Sequence, residues 1–146
     1  MSWIYQSGLF LLIAVVCALG TRLLVGEYDR SIPCDPAKLE AHEVCMSTIQ
    51  DDWNGNVLWI DARGRKPGKI LVEGALEISE NHLDEDLGKT AQRIFQANNE
   101  SQKVVVFCET DACGSSHYVR GEILENMLHD QVYVLHGGWK AYQADQ

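Results

Sequence analysis

Proline is scarce, with three in 146 residues, and the chain has only three phenylalanines. Hydrophobic residues nevertheless make up 46% and charged residues 23%. This is the composition of a chain that packs a core, and it argues against disorder, collagen-like repeats and low complexity. Basic residues are also few: 12 Lys and Arg stand against 21 Asp and Glu, a formal net charge of -9. So acidic a surface repels phosphate backbones and argues against nucleic-acid binding. The five cysteines are too few for a disulfide-built miniprotein and too odd in number to pair completely. His42, His82, His129 and His136 show no metal-ligand spacing with them, so no metal site is expected. There is no internal repeat, and the length fits one domain.

Apolar residues are concentrated at the start. Gly8 to Val25 reads GLFLLIAVVCALGTRLLV, interrupted only by Thr21 and Arg22. Extended back to Trp3, the segment would span roughly 34 Å as a helix, enough to cross a hydrocarbon core of about 30 Å. Trp3 and Tyr5 suit one interface and Arg22 the other. A single-pass anchor in the bilayer through residues 3–25 is therefore expected. A cleaved signal peptide would want a basic residue before the run, and none is present, although Ala18-Leu19-Gly20 offers a small-x-small cleavage pattern that keeps this alternative open. A lipoprotein site at Cys17 would want a small residue where Val16 stands, and a run apolar on every face suits a membrane span better than a core helix of a domain this small. Arg22, Arg30 and Lys38 follow the run, which favours a cytoplasmic domain. A Cys34–Cys45 disulfide would instead need an oxidising compartment. The sequence leaves the side open.

Residues 26–36 read as a linker, and 37–146 as the folded domain. Ala37 to Ile49 carries a helix-like pattern starting near the cap-like Asp35 and Pro36. Val57 to Ile60 reads as a buried strand ending at Asp61-Ala62-Arg63. A short strand is expected near Ala75 and Leu76. Leu83 to Asn98 is helix-like, with Leu83, Leu87, Ala91, Ile94 and Phe95 on one face. Lys103 to Phe107 (KVVVF) has the β-branched, continuously apolar character of a central parallel strand. A helix starting near Ser116 carries Val119, Ile123, Leu124, Met127 and Leu128. Val132 to Leu135 is a further strand, followed by His136-Gly137-Gly138-Trp139 and a short terminal helix. Strands alternating with helices predict an α/β fold: a mainly parallel central sheet flanked by helices.

Cys108 directly follows the KVVVF strand and opens a loop, Glu109-Thr110-Asp111-Ala112-Cys113-Gly114-Ser115, that runs into the helix near Ser116. Ligands of open α/β sheets bind at the carboxyl ends of strands. A thiol there would face backbone N–H groups of the loop and the positive end of the helix, which stabilise a thiolate, a persulfide or a sulfur oxyanion. The competing reading is a buried structural cysteine.

The order of these pieces resembles the rhodanese-like domain over roughly residues 36–142. Leu58-Trp59-Ile60-Asp61-Ala62-Arg63 is similar to the family's strand and D-x-R element, and Glu73-Gly74-Ala75-Leu76-Glu77-Ile78 to its G-A-x-x-I element. Val104 to Cys108 resembles the strand that delivers the reactive cysteine. Ser116 with Val119 and Leu124 resembles the helix after the active loop, and Val132 to Leu135 with Gly137-Gly138-Trp139 the closing strand and its G-G-W motif. The resemblance implies a sulfurtransferase. Cys108 would take a sulfane sulfur from a small donor or a protein persulfide and pass it to a thiol or cyanide, in two half-reactions and without metal or organic cofactor. It also implies that residues 109–116 bind the substrate, and that Asp61 and Arg63 form a buried ion pair near the loop.

Some residues depart from the family pattern. Cys113 stands where an Arg or another basic residue is usual, the stretch from Cys108 to Ser116 is about two residues longer, and Leu71 stands where His is common. Glu109 and Asp111 bring negative charge to an anion's approach, at a cost on the order of 1–4 kcal/mol per contact. A persulfide donor is therefore expected to serve better than thiosulfate. Cys113 either resolves an oxidised Cys108 through a disulfide or trisulfide, or packs under the loop. His117 either donates to an anion or faces solvent. Two other functions compete: a non-catalytic module of the same fold that binds a membrane protein, and a thiol-based phosphatase or arsenate reductase. The last would want an Arg in the loop, and 109–116 has none.

Overall fold

Lys103–Phe107 is buried on both faces because it is the middle strand of a five-stranded parallel sheet. The structure, a computed structural model, describes residues 32–110 and 114–145. Its strands are β1 (Glu43–Val44), β2 (Val57–Asp61), β3 (Leu76–Glu77), β4 (Lys103–Phe107) and β5 (Val132–Leu135), in the order β1-β5-β4-β2-β3. Every pairing is parallel; Val104 of β4 lies opposite Leu58 on one side and Val132 on the other. Among the described residues there are three α-helices: α1 (Leu83–Asn99), α2 (Gly114–Glu125) and α3 (Gly138–Ala144).

Alternation along β4 divides the core into two layers. Val104 and Val106 pack with Leu58 and Ile60 of β2, Leu87 and Ile94 of α1, and Val119 and Ile123 of α2. Val105 and Phe107 point to the opposite face, with Ile49, Leu135 and Ala141, and with Trp59, Trp139 and Tyr142 at its border. Both faces being covered by apolar side chains explains why the β4 sequence shows no polar alternation.

The segment Ala37 to Ile49 is not the helix its spacing suggests. Asp35 caps one 3-10 turn, Pro36–Lys38, by accepting the Ala37 N–H, and the chain then becomes extended at Leu39. Pairing with β5 decides the next residues: the carbonyls of His42 and Val44 accept from Val134 and His136. A π-helical turn, Thr48–Asp52, then buries Ile49 completely. Ladder hydrogen bonds at the sheet edge thus override a weak local helix preference. Two other apolar residues also face outward: Phe95 is 52% exposed and Met127 84%, the latter beyond the end of α2 at a positive φ of 52°.

The apolar run of residues 3–25 lies outside the described residues. Among the described residues, no helix is long and apolar enough to cross a membrane.

Cys34 and Cys45 form a disulfide, with Cα atoms 5.8 Å apart. It ties the chain entering the domain to the end of β1, where Cys45 is fully buried. A loop closed over a sequence separation of 11 is worth about 2.5–3 kcal/mol in the chain-entropy account. Replacing both cysteines with alanine should lower unfolding stability by that amount in urea titration; an unchanged midpoint would show that the bridge constrains nothing.

Candidate active site at the end of the central strand

Cys108 is the first residue past β4, at the carboxyl edge of the sheet, and it is 1% exposed. Its flank is set by α3: the Trp139 N–H donates to the Cys108 carbonyl at 2.7 Å. That approach needs glycine at 138, where φ is +53° and a Cβ would lie 2.6 Å from the Cys108 carbonyl oxygen. The G-G-W motif therefore has a geometric reason: it lets a helix start against the strand end that carries the sulfur.

Two oxygens lie near Sγ. The Ser116 hydroxyl, on the first turn of α2, donates to it over 3.7 Å, and the Thr110 carbonyl oxygen lies 3.2 Å away. Cys108 is also disulfide-bonded. The expected amide cradle involves residues 109–115, of which Asp111, Ala112 and Cys113 are outside the described residues. Glu109 and Thr110 are exposed and Gly114 opens α2. Ser115 donates to Glu80 at 2.6 Å, which ties the first turn of α2 to the 3-10 turn Glu80–His82.

Asp61 and Arg63 meet in a buried, bidentate ion pair. Arg63 Nε and Nη2 donate to Asp61 at 2.9 and 2.8 Å, and the Arg63 backbone N–H adds a third bond at 3.0 Å. Arg63 Nη2 also donates to the Ile70 carbonyl at 2.7 Å, and its guanidinium lies 3.7 Å from the centre of the Trp139 ring. Lys69 approaches Asp61 at 3.3 Å and also pairs with Glu77. Burial pushes the Asp61 carboxyl up, but the hydrogen bonds from Arg63 and the charges of Arg63 and Lys69 outweigh it and hold it below its ordinary value.

The histidines take separate places. His117 Nδ1 lies 3.2 Å from His42 Nε2, joining α2 to the residue before β1, and His42 lies 3.5 Å from Glu40. His129 is structural: its Nδ1 accepts from the Gln131 N–H and its Nε2 donates to the Gln102 carbonyl. Among the described residues, no group of three His, Cys, Asp or Glu side chains is arranged to hold a metal ion. A hollow of about 440 Å³ lies beside the Cys34–Cys45 bridge and is not lined by Cys108.

Three contacts gave no local signal in the sequence. Lys66 Nζ reaches within 3.8 Å of Glu109, the residue after Cys108. Arg65 pairs with buried Asp86, whose other oxygen accepts the Ser79 N–H. Glu80 accepts from the Ser115 hydroxyl. Each joins segments far apart in sequence; only the paired chemistry of their ends could have suggested it.

The family model of the rhodanese-like domain matches residues 48–145. No curated protein matches the chain. Among solved structures it is similar to the BH2092 protein from Bacillus halodurans, at 17% identity and TM-score 0.52, covering 71% of this chain and 72% of that one. A protein from Lactobacillus plantarum is 15% identical, with TM-score 0.52, covering 72% and 84%. Ygr203w, a yeast protein tyrosine phosphatase of the Rhodanese family, is 12% identical, with TM-score 0.55, covering 70% and 83%. At these identities the likeness shows the fold alone.

Asp61→Asn should cost about 3–5 kcal/mol in urea titration, because Arg63 and Lys69 are left without their buried counter-charge. The sign with pH follows from the depressed carboxyl. Its stabilisation is complete above the ordinary value of 3.8 and is lost as pH falls through the lower value of the folded state. The stability gap between the wild-type chain and the variant should therefore be flat from pH 7 to pH 5 and close in stronger acid. A gap that widens on acidification would contradict the pairing.

Proposed function

The chain belongs to the rhodanese-like domain family, and on that premise we propose that it is a sulfurtransferase whose Cys108 carries sulfane sulfur. The observation that carries the reading is the position of Cys108 at the carboxyl end of β4, with the Ser116 hydroxyl directed at its sulfur. A hydroxyl donating to sulfur stabilises both the thiolate and the persulfide. The donor, with thiosulfate as the simplest case, is attacked at its sulfane sulfur by the Cys108 thiolate. The bond between that sulfur and the rest of the donor breaks, and sulfite leaves with the electron pair. A thiol or cyanide then removes the sulfur and returns Cys108 as thiolate.

We propose that Cys113 is the resolving thiol that closes a disulfide with Cys108. It lies in the same loop, so a short chain closes the bond, and a resolving thiol needs that proximity. The bonded form cannot attack a donor. An external dithiol opens it, giving up two electrons and two protons and leaving as its own disulfide. The phosphatase reading gains nothing from the site, because residues 109–116 offer no arginine to a transferring oxyanion.

We further propose that the domain works on the oxidising side of a membrane to which residues 3–25 tether it. The Cys34–Cys45 and Cys108 disulfides support this. They outweigh the basic residues after the apolar run, because a cytoplasmic glutathione pool would tend to open both bridges. In cells quenched with acid, maleimide should label Cys34 and Cys45 only after reduction; labelling without reductant would place the domain in a reducing compartment.

The full-length protein, reduced with a dithiol and then given thiosulfate or inorganic polysulfide, should gain one sulfur atom on the peptide containing Cys108. Without the reductant it should gain none. Cys108→Ser should lower transfer to the uncatalysed background, and Ser116→Ala should slow it about 5- to 10-fold, the worth of one hydrogen bond. Equal transfer by Cys108→Ser and the wild-type chain would remove the enzyme reading and leave a binding module.

A further inference from the structure

The backbone after Arg63 is pinned where the sequence alone would place a loose loop. The Arg63 guanidinium holds the Ile70 carbonyl while it packs on the Trp139 ring. Ile70 and Leu71 are displayed on this support at 65% and 66% exposure. Single exposed aliphatics are ordinary, but two neighbours on a fixed backbone, beside aromatic rings, mark a surface that meets something. They border a hollow of about 320 Å³ whose other walls include Trp139 and Tyr142. A second hollow, about 350 Å³, is also lined by Leu71, together with Arg65, Lys66, Lys69 and Glu77. Arg65 and Lys69 are neutralised by Asp86, Asp61 and Glu77, whereas Lys66 is 61% exposed and meets only the exposed Glu109 at 3.8 Å among the described residues.

Leu71 is thus a ridge shared by an aromatic hollow and by one whose exposed cation is Lys66. Neither hollow is lined by Cys108, but each shares a residue with its surroundings: the Trp139 N–H donates to the Cys108 carbonyl, and Lys66 reaches Glu109, the next residue. We propose that this ridge docks a protein acceptor of the Cys108 sulfur. Its docking segment is extended and carries a cysteine with apolar residues on one flank and acidic residues on the other. The inference rests on the sulfurtransferase reading and names the acceptor class for it. A chain of net charge -9 repels an acidic segment over most of its surface, so the exposed cation of that hollow fixes where and in which direction that segment lands. Cyanide or glutathione would need no such surface.

The transfer balances without oxidant or reductant. The persulfide's outer sulfur stands about 2 Å beyond Sγ. The acceptor thiolate attacks that outer sulfur, the bond between it and Sγ breaks, and the electron pair returns to Sγ as thiolate. The acceptor leaves as a persulfide.

Three synthetic peptides test this, each with one cysteine: flanked by leucine and aspartate, by leucine and lysine, or by serines. Offered to the full-length protein reduced and then loaded from inorganic polysulfide, the leucine–aspartate peptide should accept sulfur about tenfold faster than the serine peptide, equivalent to about 1.4 kcal/mol. Leu71→Asp should abolish that advantage and leave transfer to cyanide unchanged, and Lys66→Glu should reverse the order of the aspartate and lysine peptides. Equal rates for all three peptides, or a Leu71→Asp defect as large with cyanide as with peptide, would overturn the proposal. Should Cys108 take up no sulfur, the sulfurtransferase reading fails by itself. Fluorescence anisotropy of labelled peptides with serine in place of cysteine, on the Cys108→Ser chain, then decides the surface. Binding of the leucine–aspartate peptide that Leu71→Asp removes would uphold it, and no binding would refute it.

Discussion

The Arg63 guanidinium is the joint on which the carboxyl edge of the sheet depends. It closes a bidentate pair with Asp61 at the end of β2, holds the Ile70 carbonyl of the following loop and lies under Trp139 at the start of α3. One planar, permanently charged group thereby fixes three segments relative to one another, which a lysine at the same place could not do. Burying two ions costs several kcal/mol each, and that cost is met only because nearly every polar atom of the pair finds a partner. The arrangement adds little net stability and a great deal of position. Trp139, once fixed, bonds the Cys108 carbonyl, so the geometry at the sulfur is inherited from a salt bridge at another strand end.

A second constraint comes from the sheet. Because β4 is the middle strand and all its neighbours run parallel, its carboxyl end emerges between β2 and β5 with the loop ends of both beside it. Cys108 continues the inward alternation of Val104 and Val106 and joins the same core layer. Burial of the sulfur and its position at the carboxyl edge of the sheet are therefore one fact: the strand delivers a core side chain to the edge beside the first turn of α2.

What could be read from the sequence follows from how local its cause is. The runs at Val57, Lys103 and Val132 are strands, and the helix from Leu83 forms as its spacing suggests, because a parallel sheet covered on both faces leaves an unbroken apolar signature. Ala37 to Ile49 misled for the opposite reason. Its fate is set by hydrogen bonds to β5, some ninety residues away, and by a disulfide, neither of which leaves a period in the local sequence. At the site, Cys108 and Ser116 could be named from their order around a strand end. Lys66 beside Glu109 and Glu80 beside Ser115 could not, because two loops had first to be brought to the same edge.

The absence of an arginine between Glu109 and Ser116 acquires a meaning from this geometry. A loop meant to hold a small oxyanion by itself would carry its own cation, and here the exposed cation near Cys108 arrives from the β2–β3 connection and is shared with Glu109. Two charges of opposite sign at a mouth cancel for a small anion, which sees their sum. For an extended segment they do not cancel, since each meets a different residue of it. On the proposed function, the same neighbourhood would be a poor trap for free thiosulfate and a discriminating one for a polypeptide, with the two exposed aliphatic side chains, Ile70 and Leu71, offering such a segment its apolar contact.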